Sequence, residues 1–116
     1  MSYKDKKSFD ERVEESTRVL KKYPERIPIV IEKIQNSDVP DIDKQKFLAP
    51  KDLTCGQFIS ILRKRINIQP EKALYIMIND GIYSNTVTLS SLYIDNKDED
   101  GMLYIYYTTE NTFGVI

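Results

Sequence analysis

The chain has 116 residues, 41% of them apolar and 30% charged, with a net charge of −1. That length suits one domain with one core, and the even balance excludes a whole-molecule field strong enough to draw nucleic acid or an anionic membrane. One cysteine and no histidine exclude an internal disulfide, a Ser-His-Asp triad, a Cys-His pair and a zinc site.

In chain order, the first segment, Met1 to Lys7, lacks the apolar stretch of a signal peptide. Lys4 to Lys7 can form a short helix of their own. Ser8-Phe9-Asp10-Glu11 matches a helix capping box. Phe9, Val13, Val19 and Leu20 then lie roughly on one face of a helix that ends before Pro24. Ile27-Pro28-Ile29-Val30-Ile31 reads as a strand, with Pro28 pointing to an edge or a strand start. Residues 35–46 are polar and read as a loop. Phe47 to Pro50 is a short strand closed by proline. Thr54-Cys55-Gly56-Gln57 is a second capping box, and Phe58, Ile59, Ile61, Leu62 and Ile66 follow at helical spacing to an end near Asn67.

Leu74 to Ile78 has almost no polar residue and predicts a central strand buried on both faces. Asn79-Asp80-Gly81 is a turn signal. Thr88 caps a short helix over Leu89 to Tyr93, and Asp98-Glu99-Asp100-Gly101 reads as a solvated turn before a strand from Met102 to Tyr107. Helix, two strands, long helix, strand, short helix, strand is an α+β order. It follows the β-grasp plan of ubiquitin with an N-terminal helical extension. The expected division is one domain over 1–116: a helical part at 1–24, the β-grasp core at 25–108 and a flexible tail at 109–116.

Charge is uneven along this order. Residues 1–26 and 27–78 each carry +2, and residues 79–116 carry −5. A basic part could meet an acidic partner and an acidic end a basic one. No apolar run approaches the roughly 20 residues of a membrane span. Ser at position 2 excludes N-myristoylation, and the absence of Cys four from the end excludes prenylation. There is no glycine-rich phosphate loop. The EF-hand-like spacing from Asn96 fails, because its last ligand position falls on Tyr107 rather than Glu. Cys55 has no base partner for nucleophilic work. Arg63-Lys64-Arg65 lacks a second basic cluster with aromatics, so it reads as a solvated or protein-docking face. The expectation is a chain with no catalysis, metal or cofactor of its own.

Six strings carry a resemblance: Tyr23-Pro24-Glu25-Arg26-Ile27-Pro28, Ile42 to Leu48, Gly56-Gln57-Phe58, Arg63-Lys64-Arg65-Ile66, Pro70-Glu71-Lys72-Ala73 and Glu110-Asn111-Thr112-Phe113-Gly114. In this order the chain resembles the autophagy-related ubiquitin-like modifiers, the family that includes the GABA-receptor-associated protein. The resemblance runs from about Phe9 to Gly114. It implies that a cysteine protease cuts after Gly114 and releases Val115-Ile116. A ubiquitin-type activating enzyme and a conjugating enzyme then pass the Gly114 carboxylate to phosphatidylethanolamine. The expected location is cytoplasmic, and the autophagosomal membrane once lipidated. Glycine fits this role, since a residue without Cβ threads a narrow cleft and leaves its carbonyl open to attack.

The resemblance also implies capture of short peptide motifs with an aromatic residue and an aliphatic one three positions on, as carried by autophagy receptors. The peptide would add as a strand at Lys46–Leu48. Glu15, Val19, Pro28, Val30, Lys46, Leu48 and Met102 would line an aromatic pocket. Phe47, Ala49, Pro50, Leu53, Phe58, Ile61 and Arg65 would line an aliphatic one. Arg26, Lys44 and Lys46 would meet acidic residues flanking the motif. Three departures stand out: Met102 where Phe is common, Ala49 where a larger aliphatic residue is common, and Ile82-Tyr83-Ser84-Asn85 where proline is common. The alternative reading is a binding adaptor of the same fold whose tail is never processed.

Overall fold

The computed structural model describes residues 2–35 and 39–109. Its elements are α1 (Tyr3–Lys6), α2 (Phe9–Lys22), β1 (Arg26–Lys33), β2 (Lys46–Pro50), α3 (Cys55–Arg65), β3 (Tyr75–Met77), α4 (Leu89–Asn96) and β4 (Leu103–Thr108). Of the expected tail, residues 110–116, Gly114 among them, lie outside the described residues.

Both capping boxes form. Ser8 Oγ accepts the Glu11 amide at 3.2 Å, and the Glu11 carboxylate accepts the Ser8 amide at 2.9 Å. Thr54 and Gln57 make the same reciprocal pair at 3.2 and 2.9 Å. These bonds satisfy amides that a helix start otherwise leaves without partners. Ser2 with Asp5 adds a third box at α1. The third helix ends at Arg65 with Ile66 as its cap, a little before the expected Asn67.

The four strands form one sheet in the order β2-β1-β4-β3. The first and last strands run parallel side by side, with Ile29 opposite Leu103 and Lys33 opposite Tyr107. The outer strands pair antiparallel. Pro28 therefore sits in an interior strand, but its missing donor costs nothing there. The Ile31 amide donates to Gln45 O at 2.7 Å, toward β2. Donors alternate along a strand, so Pro28 faces the β4 side, where the ladder begins only at Ile29.

The run Leu74–Ile78 corrects the expectation of a central strand: β3 lies at an edge. Leu74, Ile76 and Ile78 are buried, while Tyr75 and Met77 are half-buried. A helix covers one face and partial exposure remains on the other. Past β3, Asn79 and Asp80 take φ of 48° and 64° in a two-residue turn closed by bonds between Ile78 and Gly81. Asn and Asp tolerate that left-handed conformation better than most residues.

Strand alternation gives the sheet two apolar faces. Ile27, Ile29, Ile31, Leu103, Ile105 and Tyr107 face α3 and α4, where Phe58, Leu62, Leu89 and Leu92 complete the main core. Burial raises the Tyr107 hydroxyl to about 12. Cys55 is buried in the same core, and burial pushes its thiol upward, so it packs as a small apolar residue.

Val30, Met102 and Tyr104 face the other way and meet Tyr3 of α1. Here α2 departs from expectation. Its buried residues are Arg12 and Ser16, and Phe9 is exposed. Arg12 donates to Asp100 at 2.6 Å, with the Asp100 side chain fully enclosed. The expected solvated turn at 98–101 is thus corrected at Asp100, which also accepts from Tyr104 and from the Met102 amide. Gly101 holds φ +88°, and a Cβ there would fall 2.5 Å from Ser16 Oγ.

Two substitutions test this attachment by urea unfolding. Arg12→Leu leaves the Asp100 carboxylate buried without its cation and should cost about 3–5 kcal/mol. Gly101→Ala combines a disfavoured φ with the Ser16 collision and should cost about 1–3 kcal/mol. Wild-type stability in either variant would mean that α2 is not held through this turn.

Candidate functional site

The outer edge of β2 is open, and its register decides which groups it offers. Ile31 donates to Gln45 O at one end and Lys51 donates to Glu25 O, 3.1 Å, at the other. The hydrogen-bonded pairs are therefore the odd-numbered ones, such as Ile29 with Phe47. The amides and carbonyls of Lys46 and Leu48 point outward. Pro50 has no N–H, and its carbonyl accepts from Leu53 at 3.2 Å. The usable edge is two residues long, which limits unwanted pairing between sheets.

On the α2 side of this edge, Val30 lies opposite Lys46 and Pro28 opposite Leu48. Val30 and Met102 are buried with Tyr3 and Tyr104 as a floor. Glu15 of α2 pairs with the Lys46 ammonium at 2.5 Å, so the ion pair spans from α2 to β2. Val19 lies one helical turn beyond Glu15 on the same face and is half-buried. The residues expected in the aromatic pocket are thus neighbours, with Leu48 exposed at the rim.

On the α3 side, the Phe47 ring meets Phe58 edge-on, with centroids 6.2 Å apart. The Arg65 guanidinium lies 5.4 Å from the Phe47 centroid and the Lys44 ammonium 5.9 Å from it. Ile61 is 38% exposed and Leu53 half-buried, whereas Ala49 and Phe58 are buried. Phe58 therefore contributes from below. Pro50 ends the strand on the Lys46–Leu48 side by alternation, opposite Phe47 and Ala49. Arg63 is not part of a free basic face. It donates to Lys72 O at 2.7 Å and to Pro70 O at 3.3 Å, bracing the loop after α3.

Each cation expected at the acidic flank already has an internal partner. Lys46 holds Glu15, Lys44 lies over Phe47, and Arg26 Nη1 donates to the Leu48 carbonyl at 3.0 Å. An open groove lies elsewhere, on the α1 side, walled by Ser2, Asp5, Glu32, Asp41, Gln45 and Tyr106. Among the described residues no group of His, Cys, Asp and Glu is placed to hold a metal ion. No described helix is long and apolar enough to cross a membrane.

Tyr3 is the site residue that sequence reasoning missed. Its hydroxyl donates to Glu15, and Lys46 lies 5.8 Å from its ring. Burial and the Glu15 carboxylate push that hydroxyl far above the ordinary phenol range. The only sequence signal was a tyrosine in a polar, helix-competent N-terminus. Partial burial raises the Glu15 carboxyl, but hydrogen bonds from Lys46 and Tyr3 outweigh it and hold the group below its ordinary 4.5. A depressed carboxyl contributes stability above its unfolded value and loses it as pH falls through the folded one. The urea-unfolding difference between wild type and Glu15→Gln should therefore hold above pH 4.5 and shrink below it. A constant difference into acid would mean that these partners do not stabilise the carboxylate.

Known proteins align with these features. The family model described as "Autophagy protein Atg8 ubiquitin like" matches residues 11–114. "Autophagy-related protein 8" of Schizosaccharomyces pombe is 48% identical over 114 residues, covering 98% of this chain and 94% of that protein. "Autophagy-related protein 8d" of Arabidopsis thaliana is 46% identical, covering 98% and 95%. The crystal structure of Trypanosoma brucei ATG8 superposes with a TM-score of 0.90 at 42% identity, covering 98% of each chain. With a helix-flanked sheet of ubiquitin-like topology and matches of this extent, the chain belongs to the Atg8 family of ubiquitin-like autophagy proteins.

Proposed function

We propose that this chain is a modifier rather than a catalyst: a substrate that other enzymes process after Gly114 and attach to phosphatidylethanolamine. The observation that carries this reading is the family match, which extends through Glu110–Phe113 and ends on Gly114. A cysteine protease releases Val115-Ile116, an activating enzyme forms a thioester with Gly114, and a conjugating enzyme transfers it to the lipid amine. The attached protein sits on the autophagosomal membrane and the unattached form in the cytoplasm. There it gathers receptors whose motifs add to the β2 edge. An aromatic side chain enters on the α2 side and an aliphatic one on the α3 side. Support for that second step comes from an open two-residue edge flanked by apolar side chains on both faces.

Gly114→Ala should abolish loss of the last two residues and the phospholipid mass gain in starved native cells, while leaving peptide affinity unchanged. Lipid-modified variant protein would sink the tail mechanism. A wild-type chain that stays full-length under starvation would instead mark an unprocessed adaptor. Leu48→Ala should weaken motif peptides by about 1–3 kcal/mol in calorimetric titration. Unchanged affinity would place the docking edge elsewhere.

A further inference from the structure

We propose that the unprocessed tail of one copy of this chain docks on the β2 edge of a second copy through Phe113 and Ile116, and that cleavage after Gly114 ends this contact. The inference rests on the peptide-docking reading above and names an occupant from the chain itself. The edge sets what a docked segment must carry. It offers the outward amides and carbonyls of Lys46 and Leu48. Apolar side chains flank it on both faces, with Leu48 at the rim of the Val30 and Met102 floor on the α2 side, and Phe47 and Ile61 on the α3 side. Side chains of a strand alternate between faces, so a segment that fills both needs two apolar residues an odd number of positions apart. Phe113 and Ile116 stand three positions apart beyond the last strand, with no proline between them to remove a donor.

Length decides whose edge the tail reaches. Tyr104, Val30 and Lys46 stand level across the sheet. Thr109 lies five residues past that level, about 16 Å along the strand direction. The order β2-β1-β4-β3 sets the position outside β2 three strand spacings from β4, about 14 Å to the side. Together these separate the two points by about 20 Å, whereas the four residues from Thr109 to Phe113 span at most about 14 Å. Phe113 therefore cannot come beside Lys46 of its own sheet, and the edge it meets belongs to a second copy. Processing acts on this contact directly. Cleavage after Gly114 leaves Phe113 in place but removes Ile116, the residue that serves the opposite face. The edge is then left to receptors. Because the contact is between molecules it weakens on dilution, and a dilute peptide titration reads the free edge.

The test is sedimentation equilibrium of the full chain, of the chain ending at Gly114, and of full chains carrying Phe113→Ala, Ile116→Ala or Leu48→Ala, each up to about 1 mM. The average mass of the full chain should rise with concentration, and the chain ending at Gly114 should stay monomeric. Each variant should associate at least about fivefold more weakly than the full chain. Leu48→Ala keeps its tail and Phe113→Ala keeps its edge, so an equimolar mixture of the two should associate more strongly than either alone. Association that persists in the chain ending at Gly114, or a mixture no stronger than its parts, places the contact elsewhere and overturns the inference. A full chain that stays monomeric, while a synthetic peptide with an aromatic residue and an aliphatic one three positions on binds the chain ending at Gly114 in calorimetric titration, also overturns it and leaves docking in place. Failure of every such peptide to bind either form sinks the docking reading, and this inference with it.

Discussion

The pairing of Arg12 with Asp100 is the contact on which the rest of the arrangement depends. It joins a helix near the start of the chain to the turn that launches its last strand, 88 residues away. Removing two charges from water is costly, and proximity offsets that cost only if the remaining lone pairs are also used. Here they are: Tyr104 and the Met102 amide complete the carboxylate. Ser16 and Tyr93 occupy the neighbouring carbonyls of Asp100 and Gly101. Burial and the adjacent carboxylate drive the Tyr104 hydroxyl far above the phenol range, so it remains a donor. No buried side-chain polar atom among the described residues lacks a partner.

Fixing α2 in this way fixes Glu15 one turn beyond it, and Glu15 reaches both Tyr3 and Lys46. The N-terminal helices are therefore a wall of the candidate docking face as well as a cover for the sheet. Part of the charge asymmetry of the sequence is met inside the molecule. Lys4 meets Asp98 at 2.7 Å and Arg12 meets Asp100, so the basic start neutralises part of the acidic end.

Much of the fold was legible because its signals are local. Ser8 with Glu11 and Thr54 with Gln57 mark helix starts within four residues, and Asn79-Asp80-Gly81 marks its own turn. The errors came where a neighbour in space decides the matter. Leu74–Ile78 reads as central because hydrophobicity does not report strand order; the ladder β1–β4 took the centre. Asp98-Glu99-Asp100 reads as solvated because Arg12 has no sequence proximity to it. The candidate docking residues were placed by resemblance rather than by periodicity. Strand alternation then sorted them, putting Lys46 and Leu48 on one face and Phe47 and Ala49 on the other. Tyr3 and the Arg26–Leu48 bond had no local pattern that could have announced them.

The parallel pairing of β1 with β4 has a mechanical consequence. Five residue pairs, from Ile29–Leu103 to Lys33–Tyr107, join these strands. A chain anchored through residues beyond Thr108 and gripped at β2 carries tension along β4, with its reaction passing through β1. Tension directed along the strands loads those rungs together, in shear, rather than peeling them one after another. On the proposed function, the sheet order thus puts the strongest geometry for resisting a pull between the proposed point of anchorage and the proposed point of capture.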